Sequence, residues 1–192
     1  MSIDALREAL LDQGGTLADS VMSPRSHGAV RTLATTPGPG DGAPQLAASG
    51  PRATGREHEY ALLLEMILEG SLLHYGAPRL IRSDDSDLAL LLGDQLYAVG
   101  LARLAELGDL DAVAELADLI SLLAQAQAAS DPRLADAIWQ AGAAAIGWGQ
   151  TVEHAAAKAL ARAGDSGAVD ALNASRDAAV GRGLPARGGG AS

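Results

Sequence analysis

Four aspartates in one short region of this 192-residue chain are candidates for metal chemistry. Asp84, Asp85 and Asp87 occupy three of four consecutive positions, and Asp94 follows within the next apolar segment. Carboxylate oxygens are the hard ligands that Mg²⁺ prefers, and bound Mg²⁺ neutralises a departing diphosphate. Aspartate also begins helices, because its side chain accepts hydrogen bonds from the free amides of the first turn. The position of the cluster directly before an apolar segment favours helix capping, with a magnesium site as the alternative.

Three polar residues within apolar segments are candidates for a cavity or for contacts between helices: His74, Asp94 and Gln127. His74 has no carboxylate three or four residues further along, so we expect a packed or hydrogen-bonded structural role. A buried carboxylate is costly without a partner, so Asp94 is expected to point into a residual cavity or to pair with an arginine. The nearby arginines are Arg79, Arg82 and Arg103. For Gln127 we expect a hydrogen bond between helices.

The composition predicts an all-α helical bundle. Hydrophobic residues make up 48% of the chain but aromatic residues only 3%, with no Phe, so the core must consist mainly of Leu, Ala, Ile and Val. Leu and Ala are strong helix formers, and strand-favouring residues are scarce. The formal net charge of −10 argues against nucleic acid as a partner, because binding to phosphates requires clustered Lys and Arg. The lack of Cys excludes disulfides and Cys-ligated zinc.

The chain divides by composition into four segments. Residues 1–22 predict an N-terminal helix, and residues 23–55 are rich in Pro, Gly, Ser and Thr. Such a stretch buries too little apolar surface to offset the entropy of ordering it, so we interpret it as a flexible linker. Residues 56–180 form the helical body, and residues 181–192 are interpreted as a disordered tail.

Within the body, hydrophobic periodicity predicts a series of helices. One helix is expected over residues 57–75. A second is expected over residues 86–107, and because its first half is apolar nearly all round, we expect it to be central. Asp111 is expected to cap the next helix, and Pro132 fits the first turn of a fourth. Glycines predict a kink near residues 147–149.

The most apolar window, residues 88–102, is not predicted to cross a membrane. It contains Asp94 and is shorter than the roughly 20 residues that a spanning helix needs. The N-terminus lacks the basic start and long apolar run of a signal peptide. We therefore expect a cytoplasmic protein with no transmembrane segment.

Three segments of the body follow one another in an order and spacing typical of a known family. They are EMILEGSLLH (65–74), LLLGDQLYAVGLARLAELGD (90–109) and AELADLISLLAQAQ (114–127). Over residues 65–127, about a third of the chain, the sequence resembles the trans-polyprenyl diphosphate synthases. The resemblance implies part of the isoprenoid synthase fold. It also implies a mechanism in which two Asp-rich motifs hold Mg²⁺ and a basic Gly-Lys-x-x-Arg patch holds isopentenyl diphosphate.

The chain departs from that family at each place where the resemblance implies chemistry. Tyr75 and Gly76 directly follow His74, where the family has the first two aspartates of its first motif. No Asp-Asp-x-x-Asp motif follows Gln150. The residues nearest the expected basic patch include no Lys: His27, Gly28 and Arg31. The resemblance therefore implies a catalytically inactive relative, a pseudoenzyme that needs no cofactor.

Our main hypothesis is a non-catalytic or regulatory subunit in isoprenoid biosynthesis. Heteromeric prenyl synthases are implied to pair a small helical subunit with a catalytic one. Part of a larger helical bundle would leave apolar helix faces exposed, and we expect another chain to cover them. That chain would be a catalytic prenyl synthase or a second copy. One alternative is a helical protein-interaction or ligand-holding module unrelated to prenyl metabolism. Another is an active prenyltransferase whose Mg²⁺ is bound by Asp84, Asp85, Asp87 and Asp94.

Overall fold

The computed structural model describes residues 3–21 and 38–183, and its regular elements there are helices, besides one isolated bridge between Val21 and Ile81. The all-α prediction is confirmed. The predictions for residues 22–37, which include His27, Gly28 and Arg31, and for the tail from residue 184 fall outside these ranges. The helices are α1 Ile3–Gln13, α2 Gly15–Asp19, α3 Ala43–Ala48, α4 Glu57–Tyr75, α5 Ser86–Glu106, α6 Leu110–Ala128, α7 Pro132–Trp148, α8 Val152–Arg162 and α9 Ala168–Gly183, with a 3-10 turn at Pro51–Ala53.

Helix α7 lies at the centre of the bundle and packs against α3, α6, α8 and α9. Its sequence is rich in Ala and Gly, and small side chains let neighbouring backbones approach closely. A Cβ atom on Gly147 would lie 2.5 Å from the carbonyl oxygen of Ala47. Trp139 is 1% exposed. This tryptophan is therefore part of the core and is not available to anchor a partner.

Residues 38–55 belong to the core, so the prediction of a flexible linker was wrong for this part of residues 23–55. Helix α3 packs against both α4 and α7, and Ala43, Ala47 and Ala53 are fully buried. The prediction failed because it weighed only how little apolar area such small residues bury. Their small size is what allows this segment to lie directly against Gly147 of α7.

Helix α5 lies at the edge of the bundle, and the prediction that it is central was wrong. It packs mainly on α4, against which it buries Leu92, Leu96 and Leu104. Leu90 and Leu91 remain 43% and 64% exposed. An apolar helix becomes central only when other helices surround it, and in the described residues α4 and α6 cover one side of α5.

Two helix ends differ from those predicted. Helix α6 begins two residues earlier than predicted, because the Asp109 side chain accepts a hydrogen bond from the amide of Ala112 at 3.1 Å, so Asp109 and not Asp111 is the cap. At residues 147–149 the chain breaks instead of kinking. Gly149, at φ 96°, ends α7, and Thr151 then caps α8.

The N-terminal segment also belongs to the common core. It forms two helices, of which Leu6, Leu10 and Leu17 are fully buried in the same hydrophobic cluster as the body. The amide of Arg82 donates to the carbonyl of Ser20 at 3.1 Å, which joins the end of α2 to the loop before α5. Residues 1–22 and 56–180 therefore do not have separate cores.

Candidate functional site

The three clustered aspartates begin α5. The Asp85 carboxylate accepts hydrogen bonds from the amides of Asp87 and Leu88 at 2.9 and 3.1 Å, which makes it the N-cap. Asp84 and Asp87 are exposed, and Asp94 lies two helical turns further on, about 10 Å along the axis. The four carboxylates therefore do not converge. Within residues 3–21 and 38–183, no group of three or more His, Asp or Glu side chains is placed to hold a metal ion.

Asp85→Ala is expected to lower the free energy of unfolding by about 1 kcal/mol, the usual effect of losing an N-cap side chain. The change should be measured by urea denaturation at neutral pH. Asp84→Ala is the matched control, because Asp84 is exposed and the cap bonds come from Asp85. Equal effects of the two substitutions would contradict the capping role.

His74 and Asp94 meet at the seam between α4 and α5. Nε2 of His74 lies 3.1 Å from Oδ1 of Asp94, but the atoms are out of line for a hydrogen bond. The His74 ring stacks on Tyr97 with a centroid distance of 5.3 Å and an interplanar angle of 9°. Burial raises the pKa of the Tyr97 hydroxyl. The seam is tight, since a Cβ on Gly93 would lie 2.8 Å from the His74 ring.

The prediction that Asp94 pairs with an arginine was wrong. Its side chain is 68% exposed and its close partner is His74, which is only 15% exposed. Periodicity along one helix could not reveal this pairing, because the two residues lie on different helices. Gln127 is half-buried near the end of α6, and its side chain has no hydrogen bond within the described part of the chain. Its predicted role in a contact between helices stays a prediction.

Arg79 instead bonds to two buried glutamates of α4 that sequence reasoning did not identify. Its guanidinium donates to Glu65 at 2.7 Å and to Glu69 at 3.2 Å. Glu69 is fully buried and also accepts from the amides of Leu80 and Ile81 at 2.7 and 3.1 Å. These bonds attach the loop before α5 to α4. The available signal was the spacing of Glu65 and Glu69, which are four residues apart on one face of an apolar helix.

A second buried polar cluster joins α6, α8 and α9, and we call it the α6–α8 cluster. At its centre is Glu115, which is 1% exposed. Its carboxylate lies 2.6 Å from Nε2 of His154 and accepts from Nζ of Lys158 at 2.5 Å. Lys158 also donates to Asp118 at 2.7 Å. The remaining members are Arg162, which pairs with Asp118, and Ser175, whose Oγ lies 3.3 Å from Nδ1 of His154.

The α6–α8 cluster is structural in form, although it contains serine, histidine and glutamate. Ser175 is 4% exposed and its hydroxyl donates to the carbonyl of Leu172 at 2.8 Å, so it is neither accessible nor free to attack a substrate. Sequence reasoning did not identify this cluster. The signal that would have found the cluster is charge matching. Glu115 and Asp118 are three apart on α6, and His154 and Lys158 are four apart on α8.

The α6–α8 cluster predicts a pH dependence of stability. Burial raises the pKa of the Asp118 carboxyl, but hydrogen bonds from Lys158 and Arg162 outweigh it, and the pKa lies below its usual 3.8. A group with a lowered pKa stabilises the fold above its unfolded pKa, and this contribution disappears as the pH falls through the folded value. Asp118→Asn should therefore destabilise the protein at pH 7, and the difference from the wild type should shrink below pH 3.8. Urea denaturation of both proteins at several pH values measures it, and a difference independent of pH would contradict this account.

A third polar contact holds the α6 N-terminus against α4. The Tyr60 hydroxyl donates to Asp109 at 2.5 Å, and Arg52 donates to the other Asp109 oxygen at 2.7 Å. Burial, followed by the Asp109 hydrogen bond, raises the pKa of Tyr60 to about 12. Asp109 thus caps α6 and is fully occupied by two side chains and an amide. The arrangement fixes the helix and offers no free acid or base.

The outward face of α5 is the main surface feature that these contacts leave uncovered. Residues 91, 95, 98, 102 and 105 are all exposed and recur at alternating spacings of four and three, which places them on one side of the helix. They are Leu91, Gln95, Ala98, Ala102 and Ala105, and we call this set the α5 outer face. Of the described helices, α5 is also the one long and apolar enough to cross a membrane by length and composition, with 28% of that window buried.

Comparison of the chain with protein-family models, with curated proteins and with solved structures finds no match. The resemblance to polyprenyl diphosphate synthases therefore stays a prediction from the three sequence segments. Those segments fall on α4, α5 and α6, three helices that follow one another and pack in that order.

Proposed function

We propose that this chain is a non-catalytic helical subunit that acts by binding another protein through the α5 outer face. The observation that carries the proposal is the exposure of this face on a helix whose opposite side is firmly packed on α4. Exposed apolar residues that line up along a helix are typical of a contact with another helix. The buried polar clusters support the non-catalytic part of the proposal, because their side chains are bonded to one another and to the backbone.

We further propose that the partner is a catalytic polyprenyl diphosphate synthase. Support comes from the sequence resemblance of α4, α5 and α6 to that family, whose heteromeric members are implied to pair a small helical subunit with a catalytic one. The role of Asp85 as a helix cap supports an inactive subunit over an enzyme with an unusual magnesium site. The same face would also serve a helical interaction module outside prenyl metabolism, and the experiment below separates the two.

The test is reconstitution of the full chain with the catalytic polyprenyl diphosphate synthase of the same genome. The chain alone should form no product from isopentenyl and allylic diphosphates with Mg²⁺. The mixture should elute as a complex and differ from the synthase alone by about fivefold or more in rate, or in product length, as expected for a typical coupling energy. No complex and no change would contradict the prenyl proposal. Mg²⁺-dependent turnover by the chain alone, abolished by Asp85→Ala, would establish the active enzyme instead.

A further inference from the structure

The α5 outer face has a distinctive chemical composition. It consists of one Leu, one Gln and three Ala, with Leu91 64% exposed at one end, Gln95 one turn further on and the three alanines along the rest. Small side chains allow the backbone of a second helix to approach closely, and Leu91 offers a larger side chain that inserts between its residues.

The charges that border this face are acidic. Asp87, Asp94 and Glu106 are all exposed. At 100° per residue, Asp94 and Glu106 lie about 60° to either side of its centre, and Asp87, about 40° from the centre, lies one turn before Leu91. Arg103 lies on the side turned toward α4, where it lines a cavity of about 400 Å³ with Glu59, Leu62 and Glu106. An apolar stripe bordered by carboxylates is complementary to an apolar stripe bordered by Lys or Arg.

We propose that the α5 outer face binds a basic amphipathic helix of a partner protein; this inference rests on the proposed function and specifies the partner's chemistry. The occupant carries small and Leu residues at alternating spacings of three and four, with Lys or Arg on both sides of that stripe. A second copy of this chain is disfavoured, because it would bring the same acidic borders together and both chains carry a net charge of −10. An anionic membrane surface is disfavoured by the same carboxylates.

The binding test uses the full chain and designed 21-residue helical peptides as probes. The first peptide has Leu and Ala at alternating spacings of three and four with Lys at the bordering positions. The second has Glu in place of Lys, and the third has the composition of the first in scrambled order. Fluorescence anisotropy should show that the first peptide binds about tenfold or more tightly than the other two. Its affinity should fall as NaCl is raised, because exposed charges are screened.

Ala98→Glu separates docking on this face from general attraction to an acidic protein. Ala98 is exposed at the centre of the face, and Glu is a good helix former, so the variant should fold normally, as checked by thermal unfolding. If the Lys peptide is attracted non-specifically, the added charge should raise its affinity. If the peptide docks on this face, the added charge is buried in the contact and the affinity should fall by about tenfold. Ala156→Glu on α8 is the matched control at another exposed helical alanine and should leave docking unchanged.

Equal binding of the ordered and scrambled Lys peptides, or full binding by Ala98→Glu, would overturn the docking proposal. Binding to anionic vesicles that Ala98→Glu abolishes, without binding to the ordered peptide, would overturn it in favour of a lipid surface. Dimerisation that Ala98→Glu abolishes would overturn it in favour of a second copy. A prenyl synthase complex that survives Ala98→Glu would keep the prenyl synthase as the partner while refuting the α5 outer face as the binding surface. Specific peptide binding without any effect on prenyl synthesis would do the reverse.

Discussion

Gly147→Ala is expected to lower the free energy of unfolding by about 3 kcal/mol or more, because the added methyl group would overlap rigid backbone. A Cβ at this position would lie 2.5 Å from the carbonyl oxygen of Ala47, and one on Gly50 would lie 2.2 Å from the carbonyl oxygen of Gly147. Both neighbours are backbone atoms, so no side chain can rotate away. Relief would require α3 and α7 to separate, which would open the core around Trp139. Urea denaturation and thermal unfolding measure the change.

Gly181→Ala is the matched control, because it also places a methyl group on a helix. A Cβ there has no atom within 4 Å, so this variant should be unchanged or more stable by up to about 1 kcal/mol, the usual gain from replacing Gly in a helix. Gly50→Ala should resemble Gly147→Ala. If Gly147→Ala were as stable as Gly181→Ala, the close crossing of α3 over α7 would be refuted, and with it the inclusion of residues 38–55 in the core.

Glu115→Leu is expected to destabilise the protein by about 3 kcal/mol or more, as is usual when one partner of a buried ion pair is removed. The change leaves His154 without its partner at 2.6 Å and Lys158, which is 6% exposed, with Asp118 alone. Because Glu115 contacts both of these α8 residues, the C-terminal helices should loosen first. Urea denaturation measures the free energy, and amide hydrogen exchange in α8 and α9 measures the local opening.

The double variant Glu115→Leu with Lys158→Met distinguishes an unpaired buried charge from a simple loss of packing. Removing both charged groups leaves no uncompensated ammonium, so the double variant should recover about 1 kcal/mol or more relative to Glu115→Leu alone. Additive losses would show that Glu115 and Lys158 act independently. A loss of unfolding free energy below about 0.5 kcal/mol for Glu115→Leu would be typical of an exposed ion pair and would contradict a buried cluster.

Local sequence information predicted the helices well, because helix formation depends on signals close together in the chain. Leu- and Ala-rich periodicity placed α4, α5 and α7, and the Asp before an apolar segment correctly predicted the cap at Asp85. The errors at Asp109 and Gly149 are small shifts of a boundary. They arose where two possible N-caps, or several glycines, lie within a few residues of one another. The packing of neighbouring helices then determined which residue begins or ends the helix.

The candidate sites were predicted less well, because each depends on residues far apart in sequence. Asp94 contacts His74 instead of an arginine, and Arg79 bonds to Glu65 and Glu69 instead. Glu115 lies 39 residues from His154, and no periodicity within one helix connects them. Charge type and spacing on each helix indicated that partners were needed. They did not indicate which helix supplied them.

The sequence by itself determined that this protein is helical, where most of its helices begin and end, and that α5 is apolar on more than one side. Those properties follow from residue propensity, capping and periodicity, which act over a few residues. Only the tertiary structure decided that α7 and not α5 is central, that residues 38–55 enter the core, and that residues 3–21 and 38–183 leave one face of α5 open. The physical reason is that burial depends on how many helices surround a segment and how closely their backbones approach. In this chain the small residues of α3 and α7 let these two helices approach each other closely, and α5 lies outside that packing, at the edge of the bundle.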